Sequence, residues 1–374
     1  MAWINEIYDT LYDENTICVA CISHGKDSNA MLRAIKHLGL PLHRIVTTDV
    51  WATQDIPANL PEMWKWKKEA DKIIKDLYGI EVEHICAMRK DCSQISNVER
   101  ERERESYASM LYRKLDKGKH IGNIKGFPTK KGEWCKHLKY DSKVDIRRYI
   151  LQTIQGRKEG RKEGRKRVRI CNDSQPILQG GTQEYTDSQC NEGIGVNPAS
   201  SQPYGFPISI KQGQWCQQLK LFSPCPKNEG HKINIIQYLG IAADEPKRIA
   251  KHIKRKDVIL PLVEIGWEED LCGLISGYQN LLSPTYEDGT RDGCWFCHNQ
   301  GVDQLRRLRK NHPDLWKLLL KWDKDSPVTF HADGHTVHDF DRRFALEDDG
   351  IISKNDPWRW GYLDDLPIQL KINF

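Results

Sequence analysis

The chain has 374 residues, 39% of them hydrophobic and 29% charged, with twelve cysteines and a formal net charge of +5. That length can bury a large α/β core with a smaller appended region. No run of 18 apolar residues occurs, and the opening MAWINEIYDTLYDENT carries acidic residues where a secretory leader needs a basic flank and an apolar stretch. This argues against a membrane-spanning or exported chain. The expectation is a soluble cytoplasmic protein with no membrane partner and with reduced thiols, some of them metal ligands.

In chain order, the apolar run Ile17 to Ile22 (ICVACI) has strand length. A Ser/Gly/Asp loop follows, and then, from Asn29, a segment whose apolar residues recur at helical spacing. His43-RIVTT predicts a second strand ending at Asp49, Leu60 to Tyr78 a long helix starting near Pro61, and Ile80-EVEHI a third strand. The alternation of strands and helices predicts an α/β fold with a doubly wound parallel sheet, its ligands at the carboxyl ends of the strands. Residues 98–119, with ERERERE from Glu99 to Glu105, read as an exposed helix of opposite charges.

An internal echo comes next. Gly126-FPTKKGEWCKHLK and Gly205-FPISIKQGQWCQQLK share Gly-Phe-Pro followed by Gly-x-Trp-Cys-x-x-Leu-Lys. Between them, Arg157 to Arg169 (RKEGRKEGRKRVR) holds eight Lys/Arg and two Glu, so this tract is +6 and the remaining chain about −1. Such a tract can hold phosphate backbones by counterion release, and it equally fits a solvated insert. Further strands are expected at Ile233-NIIQYLGI and Val258-ILPLVEI, with a short helix over Glu268 to Gly277. An amphipathic helical stretch, interrupted before Pro313, follows Gln300. The expected division is 1–146 as the first part of a nucleotide domain, 147–203 as a poorly ordered basic and polar insert, 204–299 as its remainder, and 300–374 as a helical region.

The loop Ser23-His24-Gly25-Lys26-Asp27-Ser28 between strand and helix offers what a pyrophosphate needs. Gly25 leaves backbone amides accessible, Ser23 and Ser28 supply hydroxyls, Lys26 supplies a cation, and the helix dipole favours an anion. Asp27 can cap the helix or help hold magnesium. The loop differs from the Gly-x-x-x-x-Gly-Lys-Ser/Thr cradle.

SHGKDS after an apolar strand resembles the PP-loop of the phosphoadenosine phosphosulfate (PAPS) reductase-like family and its N-type ATP pyrophosphatase relatives. Asp49 matches that family's acidic residue at the end of the second strand. Leu239-GIAADEPKR resembles its Gly-Ile-Arg-x-x-x-Ser-x-x-Arg segment, which marks Arg248 for anion binding. Leu260-PLVEIGWEEDLCGLI and Leu282-SPTYEDGTRDGCWFC resemble its Pro-Leu, tryptophan, short helix, Pro-x-Tyr and Gly-Cys-x-x-Cys series. The likeness covers about residues 15–300 outside the insert. It implies an adenine nucleotide alpha hydrolase-like fold binding ATP or an adenylated sulfur nucleotide with Mg2+ and cleaving or activating at the α-phosphate. Lys26 and Arg248 would stabilise charge, and Ser23, Gly25, Asp27, Ser28 and Asp49 would line the nucleotide. The sequence departs from the family in two ways: no cysteine follows Cys297, so the reductase's C-terminal Glu-Cys-Gly-x-His is absent, and GIAADEP lacks the first arginine.

Cys294 and Cys297 have the two-residue separation at which both thiolates reach one metal. Cys272, together with either Cys216 or Cys135 from the echoed motif, completes a set resembling the family's iron-sulfur branch, related to DNA phosphorothioation sulfurtransferases. That resemblance implies a four-iron cluster, with zinc as the alternative. Cys18, Cys21, Cys86 and Cys92 read as small apolar side chains, and Cys171, Cys190 and Cys225 receive no role. His331, His335 and His338 read as a hydrogen-bonded turn and its arms rather than as ligands. Trp64, Trp66, Trp316 and Trp322 read as core and interface, with base stacking as the other use. The expected function is iron-sulfur-dependent sulfur or redox chemistry on a second substrate, served by a redox or sulfur-donor protein. The alternatives are a sulfurtransferase acting on nucleic acid and a non-catalytic nucleotide sensor.

Overall fold

The computed structural model describes residues 10–13, 15–87, 104–118, 120–129, 133–139, 146–147, 149–151, 153, 233–286, 293–331 and 334–356. Cys92, Cys171, Cys190, Cys216 and Cys225, the basic tract and the second copy of the echoed motif lie outside these residues. Among the described residues no helix is long and apolar enough to cross a membrane.

Strand β1 (Thr16–Ile22) is buried along its whole length, as its uninterrupted apolar run requires of the middle of a parallel sheet. Helix α1 (Lys26–His37) follows, then β2 (Arg44–Asp49), α2 (Pro61–Tyr78) and β3 (Val82–Cys86). Pro61 opens α2 at the position where its missing N–H costs nothing, and Gly79 closes it with a left-handed φ of 70°. Next come the single turn and a half of α3 (Tyr107–Leu111) and a 3₁₀ turn at Trp134–Lys136. Beyond residue 233 lie β4 (Asn234–Leu239), α4 (Pro246–Ile249), β5 (Val258–Ile259), α5 (Pro261–Glu264), α6 (Glu269–Tyr278) and a 3₁₀ turn at Pro284–Tyr286. Helices α7 (Val302–Asn311), α8 (Pro313–Asp325) and α9 (Val337–Asp348) complete the described chain.

The five strands form one parallel sheet in the order β3-β2-β1-β4-β5. The chain steps one way from β1 to β3 and the other way from β4 to β5, so the strand order reverses between β1 and β4. At such a point a crevice opens beyond the carboxyl ends of the strands. The loop after β1 and Gly240 after β4 sit there. Alternation along β1 decides which layer each side chain joins. Cys18, Ala20 and Ile22 pack with α1, α2 and α6, whereas Ile17, Val19 and Cys21 pack with Ile146, Tyr149 and Ile150 on the opposite face. Helices therefore flank the sheet on both faces. Residues 147, 149–151 and 153 are helical there, so ordered structure runs into the range expected for the insert.

A second core joins Tyr107, Phe127 and Trp134 to Trp295, Phe296, Trp316, Trp322, Phe340 and Phe344. The helical region after residue 300 thus shares its core with residues 107–138, not merely with its chain neighbours.

Three expected elements change. Helix α1 starts at Lys26 rather than Asn29, because extended Gly25 (φ −75°, ψ 158°) acts as its N-cap and takes the loop's last three residues into the first turn. Val258–Ile265 is not one strand: after β5 Pro261 cannot donate to a ladder and starts a helix instead. Within residues 104–118, the helix spans only Tyr107–Leu111, capped by Ser106, and it is buried through Tyr107, Met110 and Leu111 rather than exposed. Helix α9 lies in the region expected to be helical, although its polar and aromatic sequence did not mark it as a separate element.

Candidate functional site

The loop at the end of β1 is built by hydrogen bonds among its own residues. Ser28 Oγ donates to the Gly25 carbonyl at 2.8 Å and accepts from the Ser23 amide at 3.2 Å. Asn29, buried behind the loop, donates to the carbonyls of His24 (3.1 Å) and Leu281 (2.7 Å). Gly240 is a second determinant. A Cβ there would stand 2.7 Å from Ser28 Cα and 2.9 Å from the Asp27 oxygen, so only a bare backbone lets β4 approach the start of α1.

Lys26 reaches across to α6, where Nζ lies 2.7 Å from Glu269 Oε1 and 3.5 Å from Asp27 Oδ1. Burial works against its charge, but these carboxylates raise its pKa above the ordinary value, so it is a cation at neutral pH. The Asp27 carboxyl moves up: burial is the main cause, opposed by Lys26 and reinforced by Glu269 and Glu245. Ser276 donates to the Lys26 carbonyl at 2.7 Å, and the Tyr286 hydroxyl accepts from the Lys26 amide at 3.4 Å. The loop is therefore flanked by α6 and by the Pro284–Tyr286 turn. Arg248, on the short α4, donates through Nη1 to both Glu245 carboxylate oxygens at 2.6 Å. Anion binding by this guanidinium would have to compete with that carboxylate.

Asp49, at the end of β2, is 1% exposed and bonded to His84 of β3 (Oδ2 to Nδ1, 2.8 Å). His84 Nε2 in turn meets Asp71 of α2 at 2.9 Å, and the other Asp71 oxygen lies 2.7 Å from His24 Nε2. Sequence reasoning missed His24, Asp71 and His84; their one visible signal is a histidine within the loop motif, and the other two lie on elements whose packing the sequence does not reveal.

The cysteines divide between two places. Cys272 lies in the sheet core, 0% exposed, and its thiol is pushed up to about 12, by burial first and then by Asp27. It belongs to the side of the Ser23–Ser28 loop. Cys135 and Cys294 instead pack against the aromatic core. The Tyr107 ring lies 4.9 Å from Trp134 and 4.1 Å from Phe296, which brings the Trp-Cys turn beside the Cys-x-x-Cys turn. Burial raises Cys135 to about 11, and Cys297 and Cys294 add to it. Cys272 thus stands apart from Cys294 and Cys297: it sits on α6 in the sheet core, whereas they lie in a turn, with Cys294 against the aromatic core. Cys135 takes the place of Cys272, and Cys216 lies outside the described residues. His298 adds a buried side chain, 3% exposed, whose Nε2 has no hydrogen-bond partner among the described residues. Thiolate and imidazole donors suit iron or zinc. As they stand, no three such side chains among the described residues are gathered closely enough to hold an ion.

An open cleft of about 790 Å³, solvent included, has Met63, Thr285, Trp295, Gln304 and Arg307 in its walls. The rings of His331 and His338 have partners of their own: His331 Nε2 lies 3.4 Å from the Gln300 carbonyl, and His338 Nδ1 lies 2.5 Å from Asp323. Trp316 and Trp322 are core residues, 3% and 1% exposed.

No protein-family model matches the chain, and neither a curated protein nor a solved structure matches it.

Proposed function

We propose that the chain is a PP-loop enzyme of PAPS reductase-like type, with an adenine nucleotide alpha hydrolase-like sheet, that binds ATP or an adenylated sulfur nucleotide over Ser23–Ser28. The observation that carries this reading is the loop's position. It joins β1 to the N-terminus of the twelve-residue α1 where the strand order reverses, with Gly240 packed against Ser28. Amides of the first turn and the helix dipole favour phosphate oxygens there.

In this reading Lys26 exchanges its contact with Glu269 for the nucleotide and stabilises charge that develops on the α- and β-phosphates. Ser23 and Ser28 orient the phosphates, and magnesium enters with the nucleotide. An acceptor oxygen attacks the α-phosphorus and pyrophosphate leaves. The second substrate binds in the cleft walled by Thr285, Gly293 and Trp295, next to the Cys-x-x-Cys turn. Cys135, Cys294 and Cys297 are the residues offered to an iron-sulfur cluster, with His298 or Cys216 as the further ligand. Such a group would supply electron storage beside that cleft.

Incubation with ATP and magnesium should release AMP and pyrophosphate, and Lys26→Ala should lower the rate by about 100-fold or more, as loss of a transition-state charge contact does. ADP and phosphate as products would refute the assignment.

A further inference from the structure

His24 occupies the loop with a φ of 60°, a left-handed conformation that costs a non-glycine residue energy and persists where the surroundings enforce it. Its ring is 0% exposed, and a hydrogen bond of 2.7 Å ties it to Asp71. Asp71 also holds His84 at 2.9 Å, and His84 holds Asp49 at 2.8 Å. The nucleotide loop, α2, β3 and β2 are thus joined by one line of four side chains beneath the strand ends. We propose that the His24–Asp71–His84–Asp49 chain is a positioning device that sets the turn of the nucleotide loop, and that Asp49 serves the nucleotide through this chain rather than by direct contact. This inference rests on the reading of Ser23–Ser28 as a nucleotide site.

The proton arrangement follows from the partners. Both ring nitrogens of His84 face carboxylates, so both donate and the ring is an imidazolium; burial opposes this, but Asp49 and Asp71 raise it to about 10. Asp71 therefore accepts from both histidines and is held down at about 2 despite its burial. His24 then donates through Nε2 and remains neutral, because burial depresses its pKa more than Asp71 raises it. Among the described residues, Lys67 of α2 is a further charged group facing the chain; its Nζ donates to Asn59 at 3.0 Å and its charge acts on both His24 and Asp49. With His84 charged between two carboxylates, the loop's anchor does not change protonation between about pH 6 and 8, where an ordinary histidine would titrate.

The test combines ATP binding by calorimetry with ¹⁵N NMR titration of the imidazoles, in the full chain and in Lys26→Ala, Asp71→Asn and His24→Gly. Glycine tolerates the left-handed position, so His24→Gly removes the ring while leaving the turn accessible. Asp71→Asn and His24→Gly should each weaken ATP about tenfold, the worth of one lost charge-assisted hydrogen bond, with the rate at saturating ATP nearly unchanged. In Asp71→Asn the His84 titration should move down towards neutral pH, and ATP affinity should acquire a pH dependence absent from the parent. Two folded variants binding ATP as the parent does, while Lys26→Ala does not bind, would overturn the positioning chain and leave the nucleotide loop standing. Undiminished ATP binding by Lys26→Ala, or none by the parent, would overturn the loop reading and this inference with it.

Discussion

Cys272 and Cys135 show how much a cysteine's surroundings decide. Cys272 is enclosed by the sheet core near Lys26 and Asp27, while Cys135 stands with Cys294 and Cys297 against aromatic rings. Anaerobically purified protein should be brown if the three thiols hold iron and sulfide. Cys135→Ser and Cys294→Ser should then lose most of the visible absorbance and bound iron. Cys272→Ser should keep both. Loss of iron in Cys272→Ser alone would return the ligand set to the arrangement expected from the chain order. The two-residue spacing of Cys294 and Cys297 is legible in sequence because it is local. The choice among Cys135, Cys216 and Cys272 is not, because it depends on which core each segment joins.

At the scale of elements, the start of α1 and the end of β4 constrain each other. Gly240→Ala would place a methyl group 2.7 Å from Ser28 Cα, where only backbone can yield. We expect a loss of about 1–3 kcal/mol in stability, typical of overpacking, with weaker ATP binding, both measurable by denaturation and calorimetry. Helix α3 offers a simpler case. Its first turn is held by a reciprocal capping box between Ser106 and Ser109, each side chain bonded to the other's backbone amide at 3.0–3.1 Å. Ser106→Ala should cost about 1 kcal/mol by urea denaturation, with no change in nucleotide affinity. The strands and the long α2 are readable from apolar runs and Pro61. Helix α9 is not: Val337, Phe340 and Phe344 are buried at helical spacing, but charged residues between them, such as Arg343, are buried too and blur the pattern.

Over the whole molecule, the buried chain of histidines and carboxylates ties stability to pH. Asp71 is held at about 2, so it contributes stability above pH about 4 that is lost as pH falls towards 2, and Asp49, also held below its ordinary value, adds a contribution of the same sign. His24, depressed by burial, adds a loss on acidification below pH about 6.5, since the unfolded chain then binds a proton that the folded chain refuses. His84 has the opposite sign. Raised to about 10, it contributes fully below pH about 6.5, and its contribution is lost as pH rises through 10. The thermal midpoint should therefore fall on both sides of neutrality, and His84→Gln should flatten the alkaline limb. An alkaline limb identical in His84→Gln and parent would show that His84 is not the titrating group.

The sequence by itself determined the α/β alternation, the parallel strands and the position of the SHGKDS loop between strand and helix, because all three depend on local periodicity and on turn residues close in the chain. Tertiary structure decided what faces that loop. Strand order brings Gly240 against Ser28 from more than 200 residues away, helix packing sets Asp71 between two histidines, and the aromatic core draws Cys135 towards Cys294 and Cys297. These contacts join residues far apart in the chain, and burial rather than composition then fixes their protonation.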